Sequence, residues 1–254
     1  MSRRSTLTAG VLLAAFAMGS LSAGTAYATC ASISGINAGG GCTTTDPGDV
    51  AIGLGPNTTA TASGGDDTAI AIGDGASAIA DNGTHNTAIA IGNPGPNTDA
   101  FFGQVVPTSA QAGFAPNTNN GGPSSNNTAI ALGNGSVAQA TFGSGSTATA
   151  LGDGAVALAN FGDNNNAFAI GPNSGASAAR GDNNLAQVVG VSSNAFAVQG
   201  NNNNVATVFG NGSTAMAQFG DFNTARVFGN NSTASALNAN NLTVTAIGNN
   251  VHKP

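Results

Sequence analysis

Few side chains in this sequence could carry acid–base chemistry. The histidines are His85 and His252, the cysteines are Cys30 and Cys42, and the acidic residues are all Asp. His85 follows an acid in the stretch 81–85, but no Ser or Cys nucleophile motif lies near it, so a solvated turn histidine is the better interpretation. The sequence therefore predicts no catalytic residue and a protein that is not an enzyme.

Metal binding is also weakly supported. Parallel β-rolls built of nonapeptides bind Ca²⁺ through a GGxGxDxUx turn, and Ca²⁺ takes about six to eight oxygen ligands. The turn-like segments here have one acid each and lack the paired glycines; these acids are Asp74, Asp153, Asp163, Asp182 and Asp221. The two cysteines are too few for a zinc site. We expect no required metal and no other cofactor.

Residues 1–28 are predicted to be a signal peptide. Arg3 and Arg4 precede an apolar stretch over 7–18, and a small-x-small cleavage site ends at Ala28. A twin-arginine signal prefers an aromatic where Thr6 stands, so we favour the Sec route. The segment predicts a secreted or cell-surface protein of bacterial type, and no later apolar stretch is long enough for a membrane span in the mature chain.

The positions of the two cysteines are consistent with the predicted export. Cys30 and Cys42 both lie at the start of the mature chain, where an oxidising compartment favours a disulfide. We expect this disulfide to close an N-terminal cap over 29–49, the alternative being two free thiols.

Composition excludes a conventional core. Charged residues make up 6%, aromatic residues 5%, and Trp is absent. Either the chain is a disordered low-complexity segment, or it is a repeat fold with a narrow core of small residues.

The charge balance bears on possible partners. Without residues 1–28, the chain has three basic side chains and eleven Asp, so we expect no nucleic acid as a partner.

Periodicity decides for the repeat fold. Ala-x-Ala pairs, with an occasional Val as the second member, recur at alternating steps of nine and ten residues over most of the chain, so that two steps make about 19 residues. In the central part the first members are Ala129, Ala138, Ala148, Ala157, Ala167, Ala176, Ala186 and Ala195. Each pair alternates as a strand does and is followed by Gly with Asn, Asp, Ser or Gly, which form tight turns.

These features predict an all-β fold. It is a parallel β-solenoid, or β-roll, with two short strands per coil of about 19 residues. About ten coils would occupy 50–248, followed by a C-terminal tail over 249–254. Equivalent Asn residues in successive turns are expected to stack into ladders.

The orientation of the strands is less directly encoded. Arg226 and Gln187 occupy the middle position of Ala-x-Val pairs and cannot lie unpaired in a dry core, so we place the Ala-x-Ala face inward. The apolar residue before the turn Gly, for example Ile52, Leu151 or Phe209, is then expected to close one edge of the core through a local kink. The corresponding column of the other strand includes Phe161 and Arg180 and is expected to be a solvated corner.

This orientation exposes Ile70, Ile89 and Ile130, which form the candidate contact strip. An exposed apolar strip usually marks a contact surface, whereas scattered surface isoleucines are the alternative, and the inside-out orientation would remove the strip. Residues 93–128 interrupt the repeat with five prolines. We expect about two coils with inserted loops there, either binding a ligand or simply tolerated.

Two resemblances follow from short strings. NTAIAIG at 86–92 and NTAIALG at 127–133 resemble the head repeats of trimeric autotransporter adhesins, which are parallel β-rolls that trimerise and bind matrix or cell surfaces. QFGDFNTARV at 218–227 resembles the curlin repeat, with Gln218, Gly220, Asn223, Ala225 and Val227 in the matching positions. Curlins are extracellular amyloid fibre subunits.

The leading functional hypothesis is a secreted or cell-surface structural or adhesion protein that acts by binding or self-association along regular β faces. The alternative is a curlin-like extracellular fibre subunit. The expected partners are further copies of the chain, as a trimer or a fibre, or a host or cell-surface ligand.

Overall fold

The computed structural model describes residues 29–95, 107–113, 124–199 and 202–254. Every regular element in these ranges is a β-strand. The predicted signal peptide over 1–28 lies outside the described residues, as do 96–106 and 114–123 within the predicted insertion.

Successive strands alternate between two sheets. Sheet A contains β1 (Thr29–Ile33), β2 (Ile36–Ala38), β4 (Val50–Leu54), β6 (Thr68–Ile72), β8 (Thr87–Ile91), β10 (Thr128–Leu132), β12 (Thr147–Leu151), β14 (Asn166–Ile170), β16 (Leu185–Val189), β18 (Val205–Phe209), β20 (Thr224–Phe228) and β22 (Thr243–Ile247). Sheet B contains β3 (Cys42–Thr44), β5 (Thr59–Ala62), β7 (Ser77–Ala80), β9 (Ser109–Ala112), β11 (Val137–Thr141), β13 (Val156–Asn160), β15 (Gly175–Ala179), β17 (Asn194–Val198), β19 (Thr214–Gln218), β21 (Thr233–Leu237) and β23 (His252–Lys253).

From β3 onward each strand pairs in parallel with its equivalent one coil later. Ala129 pairs with Ala148 and Ala148 with Ala167, a step of one 19-residue repeat. The protein is therefore an all-β parallel solenoid of about ten coils with two strands per coil, as the spacing predicts. Backbone groups are satisfied by the coils before and after, which is why the fold does not need bulky side chains.

The Ala-x-Ala face lies inside, as the sequence predicts. In β12 the residues alternate between outward and inward, and Ala148 and Ala150 are fully buried. Alanine fills nearly all the other inward positions in the described coils, and the largest fully buried apolar side chains are Val188, Val208 and Val227.

The column before the turn glycine does not close the core, and that expectation is wrong. Strict alternation continues to the end of each strand of sheet A, so that Leu151 is half-buried and Phe209 is exposed on the outer face. No kink turns the column inward in the described coils. The apolar type of these residues did not predict their burial, because alanine already fills the space between the sheets.

Polar side chains close this edge of the core instead. The residue preceding each sheet A strand from β4 to β20 is fully buried, and we call this column the interior ladder. Its members are Asp49, Asp67, Asn86, Asn127, Ser146, Asn165, Asn184, Asn204 and Asn223. Each side-chain oxygen accepts the backbone N–H of the next member; the N–H of Asn184, for example, donates to Oδ1 of Asn165 at 3.0 Å.

The opposite edge is closed by small buried residues before the strands of sheet B, most of them serines. The hydroxyl groups of Ser193, Ser213 and Ser232 donate to glycine carbonyl oxygens of the next coil at 2.7–2.8 Å. Exposed turns add further ladders, in which the N–H of Asn211 donates to Oδ1 of Asn230 at 2.8 Å. The predicted stacking of turn Asn side chains is confirmed.

Glycine recurs at the turns because the coils approach closely there. Gly152 has φ +132°, and a Cβ at this position would lie 2.7 Å from the carbonyl carbon of Gly171 in the next coil. A side chain would therefore meet both an unfavourable backbone conformation and a neighbouring backbone.

The N-terminal end is covered by an antiparallel hairpin. β1 pairs antiparallel with β4 and with β2. The predicted disulfide is present, and Cys30 in β1 and Cys42 in β3 have Cα atoms 5.4 Å apart. The bond ties the hairpin to the first strand of sheet B.

Two boundaries differ from the sequence prediction. β8 pairs directly with β10, with Ala88 opposite Ala129, so 93–128 belongs to one coil whose sheet B strand is β9, rather than to two coils. At the other end, His252–Lys253 pairs with β21, so the predicted tail over 249–254 contributes a strand to sheet B.

Candidate contact surface

The outer face of sheet A is the surface that the sequence singled out. Each strand from β4 to β22 presents its first, third and fifth residues outward, because the second and fourth enter the core. In-register pairing aligns these residues in three straight columns, and two of the columns are rich in apolar side chains.

The predicted contact strip is continuous. Ile70, Ile89 and Ile130 are directly paired in neighbouring strands, and all three are half-buried on the outer face. Ile52 pairs with Ile70 and extends the strip by one coil. We call these four residues the isoleucine strip.

The sequence prediction did not include Ile52 in the strip, because two glycines follow it closely. Taking Gly53 as the turn glycine placed Ile52 in the pre-turn column, but the structure pairs Leu54 with Ile72. The signal that could have corrected this is the following turn, which begins at Gly55 with φ +131°.

A second apolar column, the pre-turn column, runs beside the strip over the whole sheet. Its members are Leu54, Ile72, Ile91, Leu132, Leu151, Ile170, Val189, Phe209, Phe228 and Ile247. Phe209 and Phe228 are 45% and 41% exposed, and their rings stack with centroids 5.6 Å apart. The apolar surface therefore continues beyond the isoleucine strip.

Charge is nearly absent from this face. Within the described residues no Asp lies in a strand, and Arg226 is the one charged side chain in β4 to β22 of sheet A. The acids lie in the turns and before the strands. An apolar partner could therefore approach the face without removing a carboxylate from water.

The outer face of sheet B is more polar. Its central column contains Ile79, Leu158 and Phe196, but polar residues separate them, since Gln139 pairs with Leu158 and Ser177 lies between Leu158 and Phe196. No uninterrupted apolar column comparable to that of sheet A is formed along the described strands of sheet B. The two faces of the rod are thus chemically different.

The corner that follows sheet B is solvated, as predicted. Phe161, Arg180 and Phe219 are exposed there, each with φ between +57° and +59°. Phe142 and Phe161 stack with ring centroids 4.5 Å apart, which covers part of each ring. This corner tolerates both charged and aromatic side chains.

The remaining candidate groups lie apart from the contact surface. His85 is exposed in a turn with its Nε2 3.9 Å from Oδ2 of Asp66, and His252 is exposed in β23. Over the ranges that the structure describes, Asp, His and Cys side chains form no group of three or more suited to a metal ion. No helix that could cross a membrane occurs in those ranges.

Comparison of the chain with protein-family models, with curated proteins and with solved structures finds no match.

Proposed function

We propose that this protein is a secreted or cell-surface structural or adhesion protein whose solenoid acts through the outer face of sheet A, by self-association or by binding a surface ligand. The observation that carries the proposal is the pair of adjacent apolar columns, the isoleucine strip and the pre-turn column, on a face without carboxylates. Contiguous exposed apolar surface of this kind is typical of contact sites.

The dimensions of the face agree with self-association. Ten parallel strands, about 4.8 Å apart, span about 43 Å, and the outward residues of one strand span about 13 Å. Two copies packed face to face would bury roughly 1,100 Å², just above the ~1,000 Å² expected of a specific interface. The pre-turn column is apolar along the whole length of the face, so a second copy offers an apolar surface of the same length.

Export and the lack of enzymatic activity belong to the same proposal. The leader over 1–28 supports export, and the disulfide fits an oxidising compartment. The resemblance of NTAIAIG and NTAIALG to adhesin head repeats supports a role at a surface; these strings lie on β8 and β10, in the part of sheet A that bears the isoleucine strip.

The alternative of a curlin-like fibre has less support. Asn223, Ala225 and Val227 of the curlin-like string are buried, as solenoid packing requires. However, the antiparallel β1 covers the sheet A edge at the N-terminal end, so another solenoid cannot add a parallel strand to β4 there. End-to-end growth would need this hairpin to move.

Light scattering of the mature, oxidised protein tests the proposal. The variant Ile70→Thr/Ile89→Thr/Ile130→Thr removes the strip while using the residue that sheet A carries at Thr149 and Thr245 in the same column. We expect an oligomer for the native chain and a shift toward monomer for the variant.

The matched control is Ile79→Thr/Leu158→Thr/Phe196→Thr on sheet B, which should remain oligomeric. The self-association arm is contradicted if the native chain is monomeric at every concentration, or if both variants lose mass equally. The ligand arm is contradicted if a monomeric native chain and the strip variant bind immobilised extracellular-matrix proteins equally. Concentration-dependent fibres that bind thioflavin would instead favour the alternative.

A further inference from the structure

In the interior ladder, Asp67 lacks the hydrogen bonds that an ionised carboxylate would need. Asp67 is fully buried, and its Oδ1 accepts the N–H of Asn86 at 2.7 Å. Its Oδ2 is also buried and has no hydrogen-bond partner in the described structure. An ionised carboxylate held this way has one oxygen that has lost water without replacement.

In the asparagines of the ladder, the atom equivalent to Oδ2 of Asp67 is the amide nitrogen Nδ2, which is a hydrogen-bond donor. The Nδ2 atoms of Asn127, Asn165 and Asn204 donate to the backbone carbonyl oxygen found 16 residues later, at 2.7–2.8 Å. These amides bond in two directions, since Oδ1 accepts an N–H from the next ladder residue while Nδ2 reaches across the coil edge.

The equivalent acceptor for Asp67 is the carbonyl oxygen of Gly83. A Cβ built on Gly64 would collide with that oxygen and would lie 3.2 Å from Oδ2 of Asp67, so both oxygens border one small space. A carboxylate offers this space only a second acceptor, whereas a carboxylic acid supplies the missing donor.

We propose that Asp67 is a proton-dependent link of the interior ladder. As a carboxylic acid its Oδ2–H donates to the Gly83 carbonyl oxygen, in the manner of the asparagine amides. As a carboxylate it loses this bond and weakens the coil that contains β6 and β7.

The ladder neighbours of Asp67 favour the neutral form. Asp49, also fully buried, precedes it, and its two oxygens accept the N–H groups of Asp67 and Asp46 at 3.0 Å each. The neutral Asn86 follows it. Burial is the largest cause raising the pKa of Asp67 to about 6, with repulsion from Asp49 and Asp81 added and the hydrogen bonds from Asn86 opposing it.

The surrounding turns contribute further acids and one basic group. Asp46 Oδ2 accepts the N–H of Gly64, and Asp81 Oδ1 accepts the Ser63 hydroxyl at 2.6 Å. His85 is the titratable base nearby in the described turns, but it is exposed and faces Asp66 at 3.9 Å. The groups around the carboxyl are thus predominantly negative or neutral.

The direction of the pH effect follows from these contacts. The folded chain holds the proton of Asp67 at pH values where the unfolded chain, with an ordinary Asp pKa of 3.8, has released it. The stabilisation is complete below pH 3.8, falls as pH rises toward about 6, and is absent above that. The shift corresponds to a roughly hundredfold rise in the unfolding constant of this region across that window.

Denaturant unfolding of the mature, oxidised chain between pH 4 and pH 8 tests the proposal. Asp67→Asn installs the amide that other coils carry, so it should remove the Asp67 part of the pH dependence and be more stable than the native chain at pH 7. Asp66→Asn removes the same charge from the exposed neighbouring residue and should keep the native pH dependence. Equal pH dependence in the native chain and Asp67→Asn would overturn the proposal.

A direct titration keeps the test independent of how the variants fold. The carboxyl carbon resonance of Asp67, followed by NMR in the native chain, should titrate with a midpoint about two pH units above that of an exposed Asp. A midpoint near 3.8 would overturn the proposal whatever the unfolding experiments show.

Discussion

Removal of one amide from the interior ladder should be among the most damaging small changes in this protein. Asn165 is fully buried, its Oδ1 accepts the N–H of Asn184 at 3.0 Å, and its Nδ2 donates to the Gly181 carbonyl oxygen at 2.7 Å. Asn165→Ala leaves the buried N–H of Asn184 and the part-buried carbonyl oxygen of Gly181 without these partners.

The magnitude follows from the two orphaned backbone groups. A buried group without a partner costs about 1–3 kcal/mol and a part-buried one less, so we expect a loss of about 2–4 kcal/mol in the free energy of unfolding. Asn165→Ser should cost less, because the preceding ladder position is Ser146, whose hydroxyl oxygen accepts the Asn165 N–H at 3.2 Å.

The neighbouring residue provides the control. Asn166 points outward, is half-buried, and donates to the exposed Asn164 carbonyl oxygen at 3.3 Å, so Asn166→Ala should cost less than about 1 kcal/mol. Urea unfolding followed by far-UV circular dichroism measures all three variants. The reasoning is refuted if Asn165→Ala is no more destabilising than Asn166→Ala.

Two further predictions concern the core and the cap. Ala150→Phe should destabilise the chain by about 1–3 kcal/mol or more, because the space between the sheets is filled by alanine. Ala169→Val should cost less than about 1.5 kcal/mol, because the residue paired with it in the next coil is already Val188. Equal urea midpoints for the two variants would contradict this expectation. Replacing Cys30 and Cys42 together with Ser should remove about 3 kcal/mol from the unfolding of the N-terminal coils, given their sequence separation of 12. Amide hydrogen exchange should then accelerate in β4 but not in β20, and unchanged exchange in β4 would contradict the expected role of the disulfide.

The repeat length and the inward face were predictable from the sequence for a clear physical reason. Alternation with period two places Arg226 and Gln187 on the face opposite the alanines, so the alanine face is the one that can be dry. The cysteine pair was equally predictable, because two thiols near the start of a chain that is predicted to be exported are expected to form a disulfide.

The closure of the core edges was not predictable from residue type. An apolar residue before each turn suggested a buried edge, yet Leu151 and Phe209 lie on the outer face. Asn and Ser before a strand are ordinary turn residues in a sequence, so nothing marked Asn165 as a buried link between coils. Only the distance to the next coil shows that its amide is needed there.

The register at the two irregular places also required the structure. Gly53 and Gly55 are both plausible turn glycines, and choosing the first displaced Ile52 into the wrong column. The step from Ile91 to Leu132 is close to two repeats in length, and a sequence cannot distinguish two coils from one coil with long turns. The pairing of Ala88 with Ala129 resolves it.

The spacing of the coils tests the central claim most directly. Spin labels at Thr147 and Thr224 lie four coils apart on the outer face of sheet A, and labels at Thr87 and Thr224 lie six coils apart. At about 4.8 Å per coil, the stacked solenoid predicts label separations near 19 Å and 29 Å by double electron–electron resonance. A second distance near 34 Å would contradict the single coil between β8 and β10, and broad distributions at much longer distances would contradict the stacked solenoid itself.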